Sequence, residues 1–469
     1  MKKLFALLLS FTTVFVLSAC LGGTGGAEVE VNIPDEFPHD EEIEIILWHA
    51  FGDANMQLLD DIFDTFTDEY PNVTIRHLGQ GGYDGLRQST IQGTVSGSTP
   101  TMVFGYPDHF VEYLLGNSLV PLDEYIAHDE FGVSLDDYVP GFLAENQQYL
   151  DGMQYSMPFA KSTEMVVYNK TVFDHHGIEF SMDEPISWSE LLDIAENNDL
   201  IGSGNWQAPH LFNVDSESNF FINSSSQWGA GYTDAEGNIL IDNDTTRDML
   251  TFFKEQMDDN ILAIPAEWDE NYGSIPFKQG QVLMSQGSTA GTRHNIPDAE
   301  GGRFGIFEMG IMPVVQYDMD NKSAIQQGPN VAVMADTTDA ERLAAWLLIR
   351  HMTSPENTAY FAMNTGYVPV RISAFETEEY QAFLDIANYS VSELEDAGRY
   401  DDLDLRPFSM AANVAYAQVD FYAFEPPFVG RVTSSQARDE VGFMIEALYA
   451  GTRDVEAALT YALRELGQR

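Results

Sequence analysis

The chain has 469 residues, of which 22 are Lys or Arg and 74 are Asp or Glu, giving a formal net charge of -52. A field of that sign repels nucleic acid and anionic lipid headgroups, which excludes both as expected partners. One cysteine leaves no disulfide within a chain, and the length suffices for two domains.

In chain order, Lys2 and Lys3 precede an apolar run over residues 4–17 interrupted by Ser10, Thr12 and Thr13. The run is short for a membrane span and reads as a secretory signal. It ends in Leu17-Ser18-Ala19-Cys20, which resembles a bacterial lipobox and implies lipidation of Cys20. The expected signal therefore covers residues 1–20, and loss of its two lysines makes the net charge -54. Residues 21–41 (LGGTGGAEVEVNIPDEFPHDE) read as a flexible acidic tether. With so many carboxylates a pair of Asp or Glu is a weak catalytic signal, and the acidity itself reads as a solvated surface suited to salty or alkaline surroundings.

The globular part begins near Glu42. Residues 42–48 read as a buried strand, and 54–70 as a helix with Leu59, Ile62, Phe63, Phe66 and Tyr70 on one face. Residues 72–78 alternate as a strand, 86–95 are helical and 102–104 form a third strand. That order predicts a parallel α/β sheet, with a ligand crevice beyond the carboxyl ends of its strands. Farther on, strands are expected over 154–159, 164–168 and 330–334, and a turn into a strand over 277–284. A capping box, Ser187-Trp188-Ser189-Glu190, predicts a helix over 189–196. Helices are also predicted over 246–257 and 340–352, from Ser354-Pro355 onward, and as an amphipathic pair over 439–466.

Few motifs carry catalytic chemistry. Residues 79–85 (GQGGYDG) follow a strand and precede a helix, but Asp84 stands where a dinucleotide fingerprint needs its third glycine. Asp318-Met319-Asp320-Asn321-Lys322 opens like a calcium loop, yet Lys322 falls on a ligand position and the glycine is missing. His175 and His176 diverge on a helix and cannot share a metal. No G-x-S-x-G occurs, and no cofactor or metal is expected. Aromatic residues in polar loops are more suggestive: Trp48, Tyr83, Tyr106, Trp206, Trp228, Trp268 and Tyr367. Flat apolar rings beside amides and carboxylates suit a sugar, whose C–H faces stack and whose hydroxyls hydrogen-bond.

An ordered set of short segments carries a resemblance over nearly the whole chain. They are ILWHAFGD, FTDEYPNVTI, GGYDGL, PLDEYI, MPFAKSTEMVVYNKTVF, SWSELLDIA, FKQGQVLM, SPENTAYFAMNTGYVPVR and GRVTSSQARDE. With the lipobox, the chain resembles bacterial extracellular solute-binding proteins of carbohydrate ABC importers. The glycerol-3-phosphate-binding branch is nearest, through TGYVPV and PPFVGR. The resemblance implies an α/β, two-lobed periplasmic-binding-protein-like fold with a ligand cleft between the lobes and a helical C-terminal part. It implies no catalysis, a carbohydrate or polyol-phosphate ligand, ABC permease subunits as partners, and a monomer lipid-anchored on the outer face of the cytoplasmic membrane. The expected lobes are 42–148 with 290–337, and 149–289 with 338–469. Ligand contacts carried over from the branch fall on Tyr83, Ser162, Trp206, Ser288, Gly328, Tyr367 and Arg431. Where the branch places a glutamate this chain has Pro107, followed by Asp108, so that either Asp108 serves from one residue on or the ligand differs. Arg431 grips a phosphate in this reading, or pairs with an acidic neighbour. The alternatives are a surface lipoprotein glycosidase, distinguished by turnover, and a ligand-binding module for signalling.

Overall fold

The computed structural model describes residues 29–149, 151–234, 236–298 and 302–468. The expected signal, Cys20 and the first part of the tether lie outside them. From Val29 onward the chain is packed, which corrects the tether as expected. Val29, Val31 and Ile33 lie against the core, and buried Phe37 meets Tyr70 edge-on at 4.7 Å. Val29, Val31 and Ile33 alternate with Glu30 and Asn32, so one face can be buried while the other stays in water.

Among the described residues twelve strands form two sheets. They are β1 (Ile43–His49), β2 (Val73–Gly79), β3 (Met102–Gly105), β4 (Ser156–Pro158), β5 (Ser162–Asn169) and β6 (His210–Val214). Then follow β7 (Leu262–Ala263), β8 (Val282–Ser288), β9 (Met309–Met312), β10 (Ala324–Gln327), β11 (Asn330–Val333) and β12 (Tyr422–Ala423). The first sheet has the order β2-β1-β3-β11-β4, and the second β12-β10-β5-β8-β6-β7 with β9 also on β5. β1, β2 and β3 are parallel, as the strand–helix alternation predicts, and β11 pairs antiparallel to β3 and β4. The capping box at Ser187 and Glu190 forms and opens helix Trp188–Asn198. Where a turn was expected, Ser274–Gln279 is instead a short helix, closed by Gly280 before β8.

Each sheet has its own core. The first gathers residues such as Leu47, Phe104, Phe142, Met157, Val331 and Trp346, and the second Val166, Phe212, Leu250, Met284, Ile325 and Leu459. The expected lobe boundaries shift accordingly. β4 and helix Asp339–Met352 pack with the first core, whereas β9 and β10 join the second sheet. The reason is that the chain passes from sheet to sheet within nearly continuous strands: β4 runs into β5, and β10 into β11. No helix among the described residues is long and apolar enough to cross a membrane.

The two passages touch. Gly328, between β10 and β11, has φ +95°, and a Cβ there would lie 2.0 Å from the Ala160 carbonyl oxygen. Only glycine accommodates both the dihedral and the approach. The same carbonyl level is crossed by fully buried Lys161, whose Nζ donates to Glu145 Oε2 at 2.5 Å and to the Gly328 carbonyl at 2.9 Å. Asn330 donates to the same Glu145 oxygen at 3.1 Å, so the carboxylate is held by both passages. The Val368 amide donates to the Lys161 carbonyl at 2.7 Å, bringing a third segment to the junction. Burial depresses the Lys161 ammonium, and the Glu145 charge opposes that shift. Removing one member of a buried pair leaves the other uncompensated, a loss of about 3–5 kcal/mol. Lys161→Met is therefore expected to lose about that much stability in urea denaturation, and Lys161→Met/Glu145→Gln less than the sum of the two single changes.

Candidate ligand-binding cleft

A cleft of about 400 Å³ opens between the sheets. Its first-sheet wall comes from the helices that follow β2 and β3. Tyr83 is the first residue of helix Tyr83–Ser96, and Tyr106 is the N-cap of helix Pro107–Leu114. Both thus stand at the carboxyl ends of parallel strands, where a crevice is expected. Their rings lie 4.6 Å apart, and the Tyr83 phenol meets those of Tyr106 and Tyr367. Burial, reinforced by these neighbours, holds Tyr83 well above the ordinary phenol range, so the wall presents neutral hydroxyls.

The opposite wall is a hydrogen-bonded floor around Asn219, three residues after the N-cap Ser216 of helix Glu217–Trp228. Its amide nitrogen donates to Glu164 Oε1 at 2.9 Å and Gln327 Oε1 at 2.7 Å. Its oxygen accepts from Gln327 Nε2 at 2.9 Å and from the Arg438 guanidinium. Arg438 also pairs with Glu425, and Gln286 donates to Glu164 Oε2 at 2.6 Å. Arg438 reaches this floor because helix Ser434–Tyr449 lies close on helix Glu217–Trp228. Gly442 faces Ser218 there, and the Ser218 hydroxyl donates to the Arg438 carbonyl at 2.9 Å.

The lining is strongly acidic. Asp84, Asp108, Glu145, Glu164, Asp215, Glu425 and Asp439 face two guanidinium groups, Arg87 and Arg438. Arg87 is already engaged by both oxygens of Glu112, at 3.0 and 2.9 Å, and Arg438 by Glu425. Burial pushes Glu164 up to about 7 against the opposing amide hydrogen bonds, and Asp215 up to about 6 against the Gly273 amide. Asp108 behaves oppositely. Burial raises it, but His109, Arg438, the Ser435 hydroxyl and Arg87 together hold it below the usual carboxylate range. Its Oδ2 accepts from Ser435 Oγ at 2.7 Å, a bond that spans from the first-sheet wall to helix Ser434–Tyr449.

Of the residues expected from sequence, Tyr83, Asp108 and Ser288 line the cleft. Tyr367 stands behind Tyr83. It is buried in the first core, stacked on Phe361 at 5.8 Å and edge-on to Phe51 at 6.0 Å, with its hydroxyl toward Tyr83. Gly366 sets that position, because a Cβ there would meet the Thr289 carbonyl oxygen at 2.4 Å. Ser162 and Gly328 sit on the passages between the sheets, next to lining residues Gln326 and Gln327. Trp206 and Arg431 are elsewhere. Trp206 stacks on His175 at 4.0 Å on the surface, and exposed Arg431 donates to the Gly467 carbonyl at 2.5 Å. Arg438, in the same GRVTSSQARDE segment, is the arginine of that segment that lines the cleft, as Arg87 does from the other wall. The readable signal was the cap Thr433 with Gln436, which starts a helix and turns Arg438 toward its packed side. Trp228 and Trp268 serve packing, against Tyr317 at 3.5 Å and His210 at 5.6 Å. Among the described residues no group of His, Cys, Asp and Glu is arranged to hold a metal.

The comparisons with known proteins agree with this architecture. A family model for bacterial extracellular solute-binding protein matches residues 61–387. The sn-glycerol-3-phosphate-binding periplasmic protein UgpB of Escherichia coli (strain K12) is 23% identical over 385 residues, covering 80% of this chain and 82% of the relative. The structure of UgpB from Mycobacterium tuberculosis in complex with glycerophosphocholine superposes with a TM-score of 0.71 at 21% identity, over 90% of this chain and 97% of that one. Maltose-bound MalE3 of T. maritima gives 0.67 at 16% identity, over 91% and 99%. These structures share the two-sheet α/β periplasmic-binding-protein fold.

The raised Glu164 has a signed consequence. A carboxyl whose pKa is higher folded than unfolded stabilises most at low pH, and that contribution is lost as pH rises through the folded value. Between pH 4.5 and 7, wild-type stability should fall relative to Glu164→Gln by about 3 kcal/mol in total. Urea denaturation of both proteins at pH 5 and pH 8 checks this; a difference independent of pH would contradict it.

Proposed function

The chain belongs to the bacterial extracellular solute-binding proteins, transport receptors and not enzymes, and from that premise we propose that it captures a polyhydroxylated solute for an ABC importer. The observation that carries the reading is the cleft itself. A wall of neutral phenols, Tyr83 and Tyr106, faces a floor of amides and carboxylates joined through Asn219. Phenol rings cover the C–H faces of a sugar or glycerol unit, and the floor accepts and donates to its hydroxyls. The lobes close about the three segments that meet at Lys161, hiding the ligand and presenting one surface to the permease.

The acidic lining selects among ligands. A phosphomonoester carries nearly two negative charges at neutral pH and meets seven acidic side chains, some of them shifted toward the neutral form by burial, with both guanidinium groups already paired. A neutral sugar or a glycerophosphodiester, with Arg438 beside its single charge, suits the cleft better than glycerol-3-phosphate. Titration calorimetry of the protein against maltose, glycerophosphoglycerol and glycerol-3-phosphate tests this. Glycerol-3-phosphate is expected to bind at least about tenfold more weakly than the best of the others, a difference of about 1.4 kcal/mol. A preference for glycerol-3-phosphate would reverse the charge argument, and release of reducing sugar from oligosaccharides would favour the glycosidase.

We further propose that Cys20 carries a lipid that keeps the receptor at the outer face of the cytoplasmic membrane, on the strength of the Leu17-Ser18-Ala19-Cys20 pattern. Cys20→Ser is expected to move the protein from the membrane fraction to the soluble one. An unchanged distribution would sink the anchor while leaving the receptor reading intact.

A further inference from the structure

The two lobes touch across the cleft at a point away from the Lys161 junction. Asp108 stands in the first turn of helix Pro107–Leu114, whose Phe110 and Tyr113 belong to the first core. Ser435 stands in the first turn of helix Ser434–Tyr449, whose Ala437, Val441, Met444 and Ile445 belong to the second. The Ser435 hydroxyl donates to Asp108 Oδ2 at 2.7 Å. Water is largely kept from this bond, since Ser435 is 8% exposed and the Asp108 side chain 14%. Burial raises Asp108, but His109, Arg438, the Ser435 hydroxyl and Arg87 outweigh it, so the acceptor is a carboxylate. A hydrogen bond to an ionised acceptor, shielded from water, is stronger than a neutral or solvated one.

Each end of the bond carries a binding surface with it. Tyr106, a ring of the cleft wall, is the N-cap of the Asp108 helix, two residues ahead of Asp108. Arg438, the cation of the floor, lies about one turn beyond Ser435 on its own helix. Parting Asp108 from Ser435 therefore parts the Tyr106 wall from the Arg438 floor. Another encounter works against closure: Asp439 is pushed up by burial and then by Asp84 across the cleft, with Arg87 pulling the other way. Two acidic walls repel as they approach, so keeping them together depends on specific attractions such as the one at Asp108.

We propose that Asp108 and Ser435 are a closure latch: their bond holds the lobes together over the ligand, and Asp108 is a positioning residue that acts through this bond and does not touch the solute. The inference rests on the receptor reading above and concerns how that site closes. It gives Asp108 a different role from that of the ligand-contacting acid implied by the family resemblance. The Asp108 oxygen nearest the other lobe is occupied by Ser435, and the floor already offers carboxyl and amide groups through Glu164 and Asn219. Ligand and latch reinforce each other, because a solute spanning wall and floor favours the same arrangement as the Asp108–Ser435 bond.

The test joins titration calorimetry with small-angle X-ray scattering on the intact protein, with maltose and glycerophosphoglycerol as probes. Ser435→Ala is expected to weaken each probe that binds by a common factor, about three- to tenfold, as the loss of one charge-assisted hydrogen bond implies. The same change should enlarge the radius of gyration. In an Asp108→Ala background, Ser435→Ala should have no further effect, because the bond is already gone. Asp108→Asn keeps an acceptor for the Ser435 hydroxyl and should recover part of the Asp108→Ala loss. Should Ser435→Ala fail to fold, Asp108→Asn against Asp108→Ala decides the same point. If Asp108→Ala weakens the two probes unequally with the radius unchanged, Asp108 is a ligand contact. That result, or an unchanged affinity and radius in Ser435→Ala, overturns the latch and leaves the receptor reading standing. If neither probe nor glycerol-3-phosphate binds the wild type, the receptor reading falls, and the scattering comparison still decides the latch.

Discussion

Everything that makes this molecule a receptor depends on the buried ion pair of Lys161 and Glu145. Two sheets with separate cores need a joint, and here the joint consists of chain segments that pass from one sheet to the other. Lys161 lies on the first passage, Gly328 and Asn330 flank the second, and Glu145 accepts from Lys161 and Asn330 at once. Taking two charges out of water is costly, and the cost is offset only where geometry and extra hydrogen bonds complete the shell. The shell is complete here: the ammonium also reaches the Gly328 carbonyl, and Asn146 donates to Asn330. A small shift of either passage would strand a buried charge.

The same economy of cations governs the cleft. With 22 basic residues against 74 acidic ones, nearly every cation near the site is committed. Arg87 is held by Glu112, Arg438 by Glu425 and Lys161 by Glu145. The remaining carboxylates are accommodated in two ways. Some accept hydrogen bonds, as Asp108 does from Ser435 and Asp215 from Gly273. Others, Glu164 foremost, approach the neutral form because burial raises their pKa. A protein with an acidic exterior thus carries its acidity into the cleft, which is the basis of the proposal that dianions are disfavoured there.

Much of the secondary structure was legible because its signals are local. Alternation in β2, the apolar stripe of helix Asp53–Glu69 and the capping box at Ser187 each act within a few residues. Tyr83, Asp108 and Ser288 could be placed because a strand's carboxyl end or a family segment marks them. Helix Tyr400–Ala417 was not legible, since Pro407 lies inside it and its pattern is broken there. Arg431 and Arg438 lie in one segment with similar local chemistry. Arg431 lies in the loop before helix Ser434–Tyr449 and Arg438 on that helix, which Gly442 packs against Ser218 of another helix.

The sequence by itself determined many of the elements, the acidic balance and the export-and-binding character, because these depend on composition, short-range periodicity and ordered short segments. The tertiary structure alone decided which arginine enters the cleft, that Tyr367 is a core residue with only its hydroxyl toward the site, and that Trp206 stacks on His175 at the surface. It also decided where the chain changes sheets. Those outcomes depend on contacts between residues far apart in sequence, such as Lys161 with Glu145 and Gly328, or Asn219 with Gln327 and Arg438. No local pattern encodes such pairings. They exist only when two cores pack and the passages between them are pinned.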